Sequence, residues 1–156
     1  MSTLAPPRYA RLRRTARWLT AAYVVALGFI ALWPTPVDRG ARGSIASTLA
    51  WLHAHGVPTW VDYDVIEFTA NIALFVPVGL LTVVLFGSTR LWAGVLAGLM
   101  LSCAIELSQR LFLPGRFSSL LDVLANTAGA YVGALFAVVL LTVLRGRPAP
   151  ARVPQT

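Results

Sequence analysis

The chain has 156 residues, 57% of them hydrophobic and 12% charged, against soluble-protein averages of about 45–50% and about 25%; both departures point to a membrane protein. Its formal charge is +7, carried by thirteen arginines without a single lysine, which excludes Schiff-base chemistry and a phosphate-loop lysine. Cys103 is the only cysteine, which excludes an intrachain disulfide and a CxxC or zinc cluster.

The arginines gather at the chain ends and in short breaks between apolar runs. That is the pattern of the positive-inside rule, not of a surface that tracks phosphates, so no nucleic-acid partner is expected. Residues 1–17 read as a basic cytoplasmic tail. The first apolar run, Trp18 to Trp33, gives 16 residues, or about 24 Å of helix, slightly short of a bilayer core of about 30 Å. Thr15 and Ala16 extend it, Arg14 and Arg17 snorkel, and Pro34 and Pro36 stop it. A cleaved signal peptide is the rival reading, but no small-x-small site follows the run.

Residues 34–66 form one long loop. Within it Ser44 reads as the cap of a helix with Ile45, Leu49 and Leu52 on one face and Gly56 past its end. This predicts an amphipathic interfacial helix in the first outer loop. His53 and His55, two apart on a helix, point about 200° from each other and do not share a metal.

Three more runs follow: Phe68 to Phe86 with Pro77 inside it, Leu91 to about Ser108, and Leu120 to Leu144. Gly87-Ser88-Thr89-Arg90 and Leu113-Pro114-Gly115-Arg116 read as the turns between them. Each run suits a spanning helix, the only plausible spanning form here. The fold class is therefore an all-α membrane protein with four transmembrane helices over residues 18–144, followed by a Pro- and Ala-rich cytoplasmic tail, 145–156, expected to be disordered.

Arginine counting orients the spans. Nine arginines (8, 11, 13, 14, 17, 90, 145, 147 and 152) fall on one side and four (39, 42, 110 and 116) on the other, so both termini are expected in the cytoplasm. On that topology Glu67 and Asn71, Glu106 and Gln109, and Asp122 and Asn126 reach the outer ends of three helices at one depth. Polar residues inside membranes usually face the bundle interior and are functional candidates. By helical phase, Asp122, Asn126, Gly129 and Gly133 fall within roughly 60°, and Gly94, Gly98, Ser102, Glu106 and Gln109 within about 120°. Each stripe joins a GxxxG to polar residues, so the two stripes are expected to pack against each other.

Structural readings compete at each acid. Asp122 follows Ser119, and Glu67 follows Asp64, at the spacing of a capping box. Glu106 lies deep in its run without such an explanation, and a pair with Arg110 one turn on is the structural alternative. Arg116 reads either as an anion clamp or as a snorkelling residue. EFTANIA (67–73) and DVLANTA (122–128) echo each other 55 residues apart, as two hairpins related by an axis along the membrane normal would; chance in an alanine-rich chain is the rival.

NIALFVPVGLL (71–81), IELSQ (105–109) and the R-x5-D-x3-N-T-x-G pattern of residues 116–129 resemble VanZ-like membrane proteins over about residues 20–144. The resemblance implies a small bacterial four-helix membrane protein, in a family whose name comes from a member linked to teicoplanin resistance. The matching motif positions are Glu67, Asn71, Pro77, Glu106, Gln109, Arg116, Asp122 and Asn126. Ser119 stands where many members carry another aspartate and Leu121 where some carry a second adjacent acid, so a metal is not expected; no cofactor is expected either.

Three functional readings stay open. One is a cell-envelope modulator that meets membrane lipids and a lipid-linked or cell-wall component. The second is an intramembrane enzyme on a lipid headgroup, with Glu106 or Asp122 as acid or base. The third is a small transporter or partner subunit. The topology is directly checkable: tags at either terminus are expected to resist external labelling in intact cells, and external labelling of a C-terminal tag would reverse the orientation.

Overall fold

The computed structural model describes residues 7–33, 40–87, 89–113 and 119–145, with side chains from Arg14 to Leu144. The stop at Pro34 and Pro36, Ser88, the turn residues 114–116 and the C-terminal tail lie outside the described residues. The described residues form helices and no strand: α1 (Pro7–Leu32), α2 (Arg42–Ala54), α3 (Tyr63–Phe86), α4 (Leu91–Phe112) and α5 (Leu120–Arg145). Stretches Arg14–Leu32, Tyr63–Phe86, Leu91–Phe112 and Leu120–Leu144 are long and apolar enough to cross a membrane. Large apolar side chains such as Phe29, Trp92, Met100, Leu107 and Phe136 point outward. Such a surface suits lipid, which is as apolar as the side chains themselves.

Helix α1 begins upstream of the apolar run and takes in the arginines from Arg8 onward. Arginine and alanine are good helix formers, so hydropathy alone understates the helix. Helix α2 begins at Arg42, not at Ser44. The Ala41 carbonyl accepts the first bond, from the Ile45 N–H at 2.8 Å, and Ser44 sits inside the first turn without capping it. Of the face read from spacing, Leu49 is buried and Ile45 and Leu52 are half-buried. Gly56 follows with φ +94°, the region in which glycine carries no Cβ penalty.

Helix α3 also starts earlier than its apolar run. Asp62, not Asp64, is the cap: its Oδ1 accepts the Val65 N–H at 3.1 Å. Glu67 therefore lies one turn inside the helix and has no capping role. Pro77 lacks the N–H that would bond the Ala73 carbonyl. Close by, the Tyr23 hydroxyl of α1 donates to the Leu74 carbonyl at 2.6 Å. Around this bond Leu27, Phe75 and Val78 form one buried cluster with Leu74, Leu101 and Ile105 against it.

Helix α5 packs between α3 and α4. It runs antiparallel to α4 in a regular register, stepping four residues along each helix. Gly94 meets the Ala134 Cβ, Gly98 meets Ala130, and Ser102 meets Asn126. The buried residues of α4 are Gly94, Gly98, Ser102, Glu106 and Gln109, the stripe read from helical phase. The glycine stripe of α5 faces elsewhere. Gly129 and Gly133 lie against the Ile72 and Val76 carbonyls of α3, while Gly79 of α3 lies against the backbone of Ala130. The two glycine stripes thus do not face each other: α5 offers alanines to α4 and glycines to α3.

At Gly133 a methyl group would collide with backbone atoms that no rotamer change can move. Gly133→Ala is expected to lower stability by about 1–3 kcal/mol, the range for overpacking. Gly28, in α1, has nothing within 4 Å of a Cβ, so Gly28→Ala is expected to be neutral or to gain up to about 1 kcal/mol of helix propensity. Thermal melting of both variants in detergent checks the contrast.

Candidate functional site

The register between α4 and α5 continues beyond Ser102 and Asn126, and the next step sets Glu106 opposite Asp122. Two carboxylates facing each other in apolar surroundings repel unless each finds its own donor. Each does. The Glu106 Oε2 accepts the backbone N–H of Ser119 at 3.0 Å. The Asp122 Oδ1 accepts the Asn71 amide from α3 at 2.8 Å.

Ser119 precedes the first residue of α5, and its Oγ accepts the Leu121 N–H at 3.1 Å, as an N-cap does. A capping box would have Asp122 reach back to the Ser119 N–H. Glu106 takes that position from another helix and leaves Asp122 free to bond α3. Glu106 therefore does have a capping role, across the helix interface, and its negative charge lies at the α5 N-terminus, where the helix dipole favours it. Glu106 is 7% exposed, while Arg110 is exposed; the described residues show no ion pair between them.

Gln109 is equally buried, and its Nε2 donates to the Ala31 carbonyl at 2.8 Å. Ala31 belongs to the last turn of α1, whose carbonyls have no intrahelical donor. Gln109 thus ties the end of α1 to α4. Below it, the Asn126 Nδ2 donates to the Ser102 Oγ at 2.8 Å, and the Asn126 Oδ1 is buried without a partner among the described residues.

These residues border a groove of about 630 Å³. Glu106, Gln109, Ser119, Asp122 and Asn126 lie along it, with Asn71 and the exposed Glu67 from α3. Leu27, Ile30, Leu74, Phe75 and Ile105 supply apolar wall. Arg42 and Tyr63 also border it, the Arg42 guanidinium carbon 5.4 Å from the centre of the Tyr63 ring, within cation–π range.

Six of the seven polar candidates named from sequence, Glu67, Asn71, Glu106, Gln109, Asp122 and Asn126, come together on this groove. Arg116 lies outside the described residues. Gly94, Gly98, Gly129 and Gly133 lie further along the helix interfaces. Sequence reasoning missed the Ser119 backbone donor, the Ala31 carbonyl, and Arg42 and Tyr63. Ser119 carried a signal in its capping-box spacing to Asp122; the others carried none. The described residues hold no group of three or more His, Cys, Asp or Glu placed to bind a metal. His53 and His55 bond backbone carbonyls, the first to Val61 at 3.0 Å and the second to Trp51 at 2.7 Å.

Four spanning-length helices with a hydrogen-bonded polar cluster at one end define a multi-pass helical membrane protein. A model of the VanZ/LLP1 family matches residues 19–142, and the chain belongs to that family. No curated protein and no solved structure matches it.

The cross-helix cap gives a test. Glu106→Gln keeps an acceptor for the Ser119 N–H and is expected to lose only about 0.3–1 kcal/mol, the charge–dipole contribution. Glu106→Leu leaves that N–H without its acceptor and is expected to lose about 1–3 kcal/mol. Arg110→Gln is expected to leave the melting temperature unchanged. Equal losses for Glu106→Gln and Arg110→Gln would restore the ion-pair reading.

Proposed function

We propose that this protein modulates the bacterial cell envelope by receiving the headgroup of a lipid or lipid-linked envelope component in the groove between α3, α4 and α5. The observation that carries the reading is the groove itself: polar groups from three spanning helices meet at one end of the bundle, beside apolar walls able to take an acyl chain. A membrane amphiphile has both halves of that chemistry. Arginine counting supports placing the groove at the outer face of the cell membrane, with both termini cytoplasmic. Membership of the VanZ/LLP1 family supports an effect on glycopeptide susceptibility.

The acids that border the groove fit a binding role. Asp122 is held by Asn71 through one oxygen, and Glu67 lies exposed at the mouth. Among the described residues, neither is hydrogen-bonded to a serine or cysteine side chain as a base is to its nucleophile.

Asp122→Asn and Glu67→Gln keep the shape of the groove and remove its charge. Both variants are expected to insert and melt like the unaltered protein, yet to lose its effect on the teicoplanin susceptibility of cells that express it. Variants that are stable and fully active would take these carboxylates out of the function.

A further inference from the structure

The reading of the groove as a headgroup site leaves open which headgroup it takes, and the hydrogen-bonding inventory narrows that. Four carboxylates border it, Asp64, Glu67, Glu106 and Asp122, with one guanidinium, that of Arg42, among the described lining residues. This acidic groove belongs to a chain of formal charge +7. Asp122 and Glu106 each bond the described residues through a single oxygen, which leaves the second oxygen of each as an acceptor.

An independent observation lies at the floor. Asn126 is 5% exposed and borders the groove, its Nδ2 donates to Ser102, and its Oδ1 has no partner among the described residues. An unpaired buried amide oxygen costs about 1–3 kcal/mol. Acceptors thus stand at the mouth, in Glu67, along the wall, in Asp122, and at the floor, in Asn126.

We infer that the groove takes the primary ammonium head of an amphiphile, received by Glu67, Asp122 and the Asn126 Oδ1, in preference to a phosphate. An ammonium carries three donors and no acceptor, which matches the acceptors offered by Glu67, Asp122 and Asn126. Its charge offsets carboxylates that are held in apolar surroundings. A phosphate brings more acceptors and more negative charge, and is repelled by the same groups.

This rests on the headgroup reading, and chain-matched probes separate the two. The full-length protein in phosphatidylcholine nanodiscs at neutral pH is titrated with dodecylamine, dodecyl phosphate and dodecyl glucoside, with thermal stabilisation as the readout. Dodecylamine is expected to stabilise saturably and at least tenfold more tightly than the other two. Glu67→Gln and Asp122→Asn are each expected to weaken it by about tenfold, the scale of one charge-assisted contact, with glucoside binding unchanged. Preference for the phosphate or the glucoside, with binding still sensitive to groove variants, would overturn the ammonium assignment and leave the headgroup reading standing. Dodecylamine binding that ignores both variants would place it outside the groove and overturn the assignment as well. No saturable binding of any probe would overturn both.

Discussion

Helix α5 touches α3 backbone to backbone, because Gly79, Gly129 and Gly133 have no Cβ to hold the two helices apart. On its other side alanine methyls fill the space left by Gly94 and Gly98 of α4. In lipid there is no hydrophobic force between helices, so close van der Waals contact and hydrogen bonds must hold them. The small residues supply the first and, by fixing the register, determine the second. The polar end of the bundle follows from this approach. Without it, Asn71 would not reach Asp122, nor Asn126 reach Ser102.

The same register creates a problem and solves it. It sets Glu106 opposite Asp122, two acids among apolar helices. A donor on each side draws them apart: the N-terminal amide of α5 for Glu106 and the α3 side chain for Asp122. The acids are thereby held in place without an arginine partner among the described residues. Both border the groove. One structural need, to close the start of α5, is met by Glu106, and another, to tie α5 to α3, by Asp122.

Much of this was legible in the sequence because membranes leave few choices. Apolar length gave the four spans, and a period of 3.6 placed Gly94, Gly98, Ser102, Glu106 and Gln109 on one face. The polar cluster followed from topology, since Glu67, Glu106 and Asp122 all reach one end of their helices. What the sequence hid was set by tertiary contact. Ser119 and Asp122 have capping-box spacing, yet the reciprocal half of the box comes from Glu106, which no local pattern shows. Asp62 outcompetes Asp64 as a cap because the first turn of α3 is polar and lies outside the apolar run. Gly129 and Gly133 signal a close contact without naming the partner, since two helices flank α5 and only packing decides which of them receives the glycines.

The central claim is that Glu106 closes the start of α5 across the interface and so frees Asp122 for α3 and the groove. Solid-state NMR measures this directly in bilayers, through the dipolar coupling between the ¹³C-labelled Glu106 carboxyl and the ¹⁵N-labelled Ser119 amide. The account predicts a resolvable through-space coupling, as the 3.0 Å oxygen–nitrogen hydrogen bond requires, retained in Glu106→Gln. A Glu106 carboxyl uncoupled from Ser119, with Asp122 coupled to that amide instead, would restore an ordinary capping box and contradict it.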